Sequence, residues 1–194
     1  MGPSHSLMKR NVIPWFTEIT PAEEDLDMLL SVTASDLYHV GKVAIDKIKQ
    51  QYSSTPVVQA WPSVFSGICV ISNRRTLFHR DQGGWPACFD LLAAMGTYQT
   101  SELLCPDIGA RFVYNPGTVI PICGKLLRHG VFEWEGGERL CYAHYMRNNV
   151  HDRLGLRQTT WVDRTNYTRH MSPRYLNRMA ASSSYVVCAS NNME

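Results

Sequence analysis

No apolar run in the 194-residue sequence approaches the roughly 18 residues a membrane-spanning helix needs, so no membrane partner is expected. No basic start followed by an apolar stretch opens the chain, so no secretory leader is expected. The six cysteines, at 69, 88, 105, 123, 141 and 188, include no Cys-x-x-Cys pair. That excludes the usual zinc spacing and argues for reduced, buried thiols in an intracellular protein rather than a disulfide frame. No repeat, linker or low-complexity segment divides the chain. Charged residues make up 19% and hydrophobic ones 44%, too apolar for a disordered chain and enough for a sizeable core. Residues 1–6 are set aside as a cloning remnant.

The net charge of +2 is not evenly spread. Residues 1–146 carry 12 basic and 14 acidic side chains. Residues 147–178 carry Arg147, Arg153, Arg157, Arg164, Arg169, Arg174 and Arg178 against Asp152 and Asp163. Trp161, Tyr167 and Tyr175 are interleaved with them. Arginine among aromatics suits phosphate contacts and base stacking, and equally suits a solvated face.

Residues 7–20 read as an extended lead-in with a short edge strand at Trp15–Ile19. Thr20-Pro21-Ala22-Glu23 reads as a helix start, with Thr as N-cap, Pro in the first turn and Glu three residues on. A second helix opens at Ser35 and ends near Tyr52, with Leu37, Val40, Val43, Ala44 and Ile48 at helical spacing. From residue 57 the pattern turns to short strands: 66–78, 88–95, 103–104, 111–114, 118–122, and a hairpin of 129–134 with 139–147 around Gly136-Gly137. The expected fold is mainly β with flanking helices, a double-stranded β-helix or jelly roll. Residues 1–56 supply a lead-in and supporting helices, 57–150 the core, and 151–194 an Arg-rich segment on the same domain.

The chemistry centres on Arg75-Thr76-Leu77-Phe78-His79-Arg80-Asp81. At the end of a strand, positions i and i+2 point the same way, so His79 and Asp81 can grip one ion. His129 follows fifty residues later. Two imidazoles and one carboxylate, with other positions open, are the ligand set of non-haem Fe(II) oxygenases. Ten residues further, Arg139 offers a guanidinium that can fork onto a carboxylate, as a 2-oxoglutarate cosubstrate would require. In the last strand Arg139, Cys141, Ala143, Tyr145 and Arg147 share one face, and His144 lies on the other. With Arg139 turned into the barrel to hold a carboxylate, His144 points away, which makes it the poorer ligand and His129 the better one. Ser72 and Arg74 share a face with Val70, opposite Cys69 and Ile71, and the pattern leaves open which face is inward.

His79-Arg80-Asp81, Arg128-His129-Gly130-Val131 and Gly137-Glu138-Arg139-Leu140-Cys141 together resemble the 2-oxoglutarate- and Fe(II)-dependent dioxygenases. Within them the pattern is most similar to the TET/JBP branch, which oxidises methylated bases in DNA, and to its small protist and fungal members. The resemblance spans roughly residues 57–150. It implies iron ligation by His79, Asp81 and His129, with O2 as the oxidant. It implies a salt bridge from Arg139 to 2-oxoglutarate, with Ser72 and Arg74 near that cosubstrate. It implies that Tyr145 stacks on a flipped base and that Arg147 contacts the base edge. The small TET-like enzymes carry an acidic residue just after the His-x-Asp, to bond a cytosine amino group. Gly83-Gly84 stands there instead.

The resulting expectation is an enzyme that oxidises methyl groups on 5-methylcytosine or N6-methyladenine in duplex DNA, as a nuclear monomer. A base inside a duplex must be flipped out to reach such a site, and Trp85 is a further candidate to stack on it. The alternatives are an AlkB-like nucleic-acid demethylase, a protein hydroxylase, or a jelly-roll binding module without catalysis.

Overall fold

The structure is a computed structural model that describes residues 5–9 and 11–156. Two long helices come first, α1 (Val12–Thr33) and α2 (Ser35–Gln51), followed by the one-turn α3 (Pro56–Gln59). Nine strands follow: β1 (Gly67–Ser72), β2 (Thr76–His79), β3 (Asp90–Gly96), β4 (Thr100–Cys105), β5 (Ala110–Val113), β6 (Val119–Ile122), β7 (His129–Val131), β8 (Trp134–Glu135) and β9 (Arg139–Tyr145). A short α4 (Asn148–Arg153) ends the described region. The helices and both sheets fall within one unit, residues 1–159.

The strands form two antiparallel sheets. The four-stranded sheet runs β1-β9-β3-β6, and the five-stranded sheet runs β2-β7-β4-β5 with β8 paired to β4. This is the expected mainly-β jelly roll with flanking helices. Alternation along β3 divides the core in two. Leu91 and Ala93 face a cluster built with Leu26, Leu30, Leu37 and Phe65. Leu92 and Ala94 face Leu103, Cys105 and Val131 of the five-stranded sheet and Tyr114 just after β5. β3 is therefore apolar on both faces and reads as an unbroken hydrophobic run.

Two local expectations are corrected. Residues 12–19 are not an extended lead-in or an edge strand, and no helix starts at Thr20. α1 begins at Val12 and passes straight through Pro21. Pro14 lies in the first turn, where its missing N–H has no intrahelical partner to lose. Pro21 does remove one bond, but Phe16, Ile19, Leu26 and Leu30 lie at three- and four-residue steps on both sides of it and are buried. Their burial outweighs the lost bond, and the local start signal at Thr20-Pro21 is overridden. The second correction concerns the segments around Gly136-Gly137, which are not a hairpin. β7 pairs with β2 and β4, while β9 pairs with β1 and β3. The two glycines, at φ 65° and 45°, carry the chain from one sheet to the other.

The five described cysteines form no disulfide, and four are buried, with Cys69 exposed. Among the described residues no helix is long and apolar enough to cross a membrane.

One polar residue interrupts the buried stripe of α1. Glu23, fully buried, accepts a bond of 2.8 Å from Nε2 of His144, also fully buried, on the outer face of β9. One turn on, Asp27 Oδ1 accepts from the Val64 amide at 3.3 Å. Burial pushes the Asp27 carboxyl up to about 7.

Removing one partner of a buried polar pair strands the other. Glu23→Ala should therefore cost about 3–5 kcal/mol in urea unfolding, while Glu23→Gln, which keeps an acceptor, should cost less. A second expectation concerns pH. The folded chain holds the Asp27 proton more tightly than the unfolded chain, whose aspartates ionise near 4. Stability from this group is thus full below about 4, falls as pH rises to about 7, and is level above. Asp27→Asn keeps the acceptor for Val64 and should flatten that slope, raising Tm at pH 8 more than at pH 4.

Candidate active site

β2 and β7 run antiparallel, and their register places His79 opposite His129. The two imidazole rings stand 4.4 Å apart, centre to centre. Nδ1 of His79 lies 2.9 Å from the carbonyl of Leu77, and Nδ1 of His129 lies 3.1 Å from the carbonyl of Leu127. A carbonyl only accepts, so each Nδ1 carries the proton and each Nε2 presents a lone pair. Both Nε2 atoms turn toward Asp81. His79 Nε2 is 3.5 Å from Asp81 Oδ1, and His129 Nε2 is 3.7 Å from Oδ2. Donor atoms of the three residues all lie within 4.8 Å of one another. They form the one group of this kind among the described residues. Burial pushes the His129 imidazole below its usual range, which keeps it neutral. Asp81 is fixed through its backbone, whose N–H donates to the Gly124 carbonyl at 2.9 Å.

A cavity of about 400 Å³ opens at this cluster. It is lined by His79, Asp81, Gln82, Gly83 and Gly84 on one side, and by Cys69, Ile71, Arg74, Leu92, Ala143, Tyr145 and Arg147 on the other. The β1–β9 register pairs Cys69 with Ala143 and Ile71 with Cys141, so this is the inward face of β1. Ser72 pairs with Leu140 on the outward face, is exposed, and does not line the cavity. Arg74 follows the strand and does reach the cavity, so the structure separates these two residues.

Arg139 is buried between the sheets at 1% exposure. Its guanidinium lies 5.6 Å from the centre of the Tyr114 ring and 5.9 Å from that of Trp134. Among the described residues its Nη1 donates to the Arg74 carbonyl at 3.2 Å, and its buried Nε has no partner. Asn73, in the left-handed region at φ 46°, exchanges two 2.8 Å bonds with the Arg139 backbone and fixes the β1–β2 turn to the start of β9.

At the mouth the Arg147 guanidinium lies 4.4 Å over the Tyr145 ring and presses on Gly83, where a Cβ would collide with it. Tyr145 in turn covers Gly67. Trp85 packs against the core beneath the helices and does not line the cavity. His144 turns away to Glu23. Arg157, Arg164, Arg169, Arg174 and Arg178 lie outside the described residues.

Two residues of the site were not picked out in the sequence. Asp90, on β3, is 5% exposed and lines the cavity. Burial pushes its carboxyl up to about 7, with Asp81 adding to the rise and Arg147 opposing it. Its signal was a lone carboxylate inside the apolar run Cys88–Met95. Gly124 is the other. A Cβ there would fall on Asp81 Oδ2 and stand 3.0 Å from Asp90 Oδ2.

A jelly roll that gathers two imidazoles and a carboxylate around one point, beside open space, defines the class of non-haem iron oxygenases. The family comparison narrows this. Residues 5–148 match the Tet_JBP family, the oxygenase domain of the 2OGFeDO superfamily, and the chain belongs to that family. It is a dioxygenase of the 2-oxoglutarate- and Fe(II)-dependent superfamily. No curated protein matches the sequence. Among solved structures, NgTET1 in complex with 5mC DNA is similar at TM-score 0.54 and 14% identity, over 81% of this chain and 58% of that one. The chain thus spans little more than half the length of NgTET1. A Cupin 2 conserved barrel domain protein from Salinispora arenicola CNS-205 aligns at TM-score 0.35 and 21% identity, over 49% of this chain and 76% of its own.

The residues fit the implied groups. Three metal donors converge with their protons turned away, and a buried guanidinium keeps an unpartnered N–H for an anion. If Gly124 clears room for Asp81, then Gly124→Ala should weaken Co(II) binding to the metal-free protein about tenfold or more, the range seen when a ligand's support is disturbed. Isothermal titration of Co(II) checks this, with thermal unfolding confirming that the variant is folded.

Proposed function

We propose that this chain oxidises methyl groups on DNA bases, with His79, Asp81 and His129 as iron ligands and Arg139 as the partner of the far carboxylate of 2-oxoglutarate. The single observation that carries the reading is the cavity, whose lining brings His79 and Asp81 of the His79–Asp81–His129 cluster, the Asp90 carboxyl and the Arg147–Tyr145 stack around one space. Bound Fe(II), 2-oxoglutarate and O2 supply the chemistry that turns a methyl C–H into C–OH, with release of succinate and CO2. The chain's own part is to bind, orient and keep the site dry. The crystallised neighbour NgTET1 holds 5mC DNA, which supports the substrate class. A nuclear location follows only if the substrate is chromosomal DNA.

Asp90 bears on which base is used. The acidic residue absent from Gly83-Gly84 has a substitute that comes from β3. With its carboxyl near neutrality, Asp90 offers both an O–H donor and a carbonyl acceptor. Adenine and cytosine each display an amino group next to a ring nitrogen, and a neutral carboxyl matches that edge in both. Glycine at 83 leaves the space that the Arg147 guanidinium occupies, and glycine at 84 adds no side chain to the cavity wall. The reading is therefore a permissive pocket that takes both N6-methyladenine and 5-methylcytosine.

The test uses matched duplexes, each with one modified base, incubated with Fe(II) and 2-oxoglutarate and followed by nucleoside mass spectrometry. Both bases should be consumed. Consumption of 5-methylcytosine alone refutes the permissive pocket. Activity on neither turns the reading to an AlkB-like demethylase or a protein hydroxylase. His79→Ala, Asp81→Ala and His129→Ala should each abolish turnover, whereas His144→Ala should keep its iron. Arg139→Ala should raise the 2-oxoglutarate KM by an amount matching a lost charge-assisted contact, about 1.5–3 kcal/mol. An unchanged KM would refute that role.

A further inference from the structure

The two ligand-bearing segments are held together from outside the site by a carboxylate that belongs to neither. Side chains alternate along a strand, so Arg80 points away from the direction taken by His79 and Asp81, and Arg128 points away from that of His129. Asp107 lies in the single turn Pro106–Ile108 that follows β4. Its Oδ2 accepts from Arg80 Nη2 at 2.7 Å and from the Arg128 backbone N–H at 2.8 Å, and its Oδ1 accepts from Arg128 Nε at 2.7 Å. Arg80 also donates from Nε to the Leu126 carbonyl at 2.8 Å. One carboxylate thus binds the residue between His79 and Asp81 and the residue before His129.

Sheet pairing sets His79 opposite His129 but does not hold the chain beyond that rung. The β2–β7 ladder shifts register between Thr76 and His79, and the His79–His129 pair is its last rung. Beyond that rung the chain at Arg80–Asp81 is tied by the Asp81 amide to Gly124, and by Arg80 to Leu126 and Asp107. Charge points the same way. One carboxylate ligand leaves a divalent ion with net positive charge, and two guanidiniums beside its ligands would add repulsion. Asp107 draws both away and neutralises them in part.

We propose that Asp107 is a positioning residue that sets the spacing of the metal-binding segments through Arg80 and Arg128. This rests on the reading of His79, Asp81 and His129 as a metal site, and not on any base being the substrate. A surface ion pair of ordinary kind would add little to stability and nothing to metal affinity. A positioning role predicts the reverse balance.

The experiment is titration of the metal-free full chain with Co(II) alone, read by calorimetry and by the visible absorption of the bound ion, alongside thermal unfolding of the metal-free protein. Asp107→Asn should weaken Co(II) binding about tenfold or more, as loss of a ligand's outer support does, and should alter the absorption band while leaving the metal-free Tm nearly unchanged. Asp107→Glu should recover most of the affinity. In the Asp107→Asn background, adding Arg128→Ala should cause no further loss, because the two act as one unit. Equal Co(II) affinity in Asp107→Asn and the parent overturns the inference alone. A weakened affinity that tracks a fall in metal-free Tm, or that Asp107→Glu fails to restore, overturns it as well. Absence of Co(II) binding by the parent overturns both the metal-site reading and this inference.

Discussion

The antiparallel pairing of β2 with β7 is the constraint on which the site depends. Fifty residues separate His79 from His129, and the chain between them makes β3 to β6 of both sheets. One rung of that ladder sets the two imidazoles opposite each other. Each Nδ1 is then taken up by a carbonyl two residues earlier in its own segment. The same local geometry at both places fixes both tautomers, and Asp81 closes the group by following His79 at the strand end. A slip of one residue in this pairing would turn one imidazole to the outer surface. The neutral, pre-oriented donor set is thus a property of register more than of any single side chain.

β9 couples that cluster to the rest of the molecule. Its inward residues, Arg139, Cys141, Ala143 and Tyr145, build the depth and wall of the barrel, and Arg147 continues the line to the cavity mouth. Its outward residues, Tyr142 and His144, meet the helices. His144 ties α1 to this sheet through a fully buried bond to Glu23. The N-terminal helices therefore do more than cover apolar surface. They fix the strand that carries Arg139 and the proposed base contacts, and a change in that buried bond reaches the site through the backbone of β9.

Much of this arrangement is legible in the order of residues. The step of two between His79 and Asp81 and the choice of His129 over His144 follow from strand alternation, a local rule that any extended segment obeys. That Arg139, Tyr145 and Arg147 share a face follows from the same rule, and the burial of Arg139 makes that face the inner one. The helix at Ser35 and most strands follow from spacing and turn residues. The failures have a common cause. Thr20-Pro21 is a good local start signal, while the force that extends α1 to Val12 is burial of Phe16 and Ile19 against partners far along the chain. Gly136-Gly137 looked like a hairpin because nothing local distinguishes a turn within a sheet from a crossing between two sheets.

The sequence by itself determined the chemistry: two imidazoles, a carboxylate and an arginine at spacings that alternating strands can aim inward, within a chain apolar enough to enclose them. Only the tertiary structure decided which other groups share their space. Asp90 joins the cavity, Gly124 stands against Asp81 and Asp90, Ser72 is left outside the cavity, and Asp107 stands behind the His79–Asp81–His129 cluster. Each of these placements depends on which strand lies beside which and on the side to which a turn directs the chain. Those are long-range choices, made by the packing of two sheets and a helical layer, and no local pattern of residues encodes them.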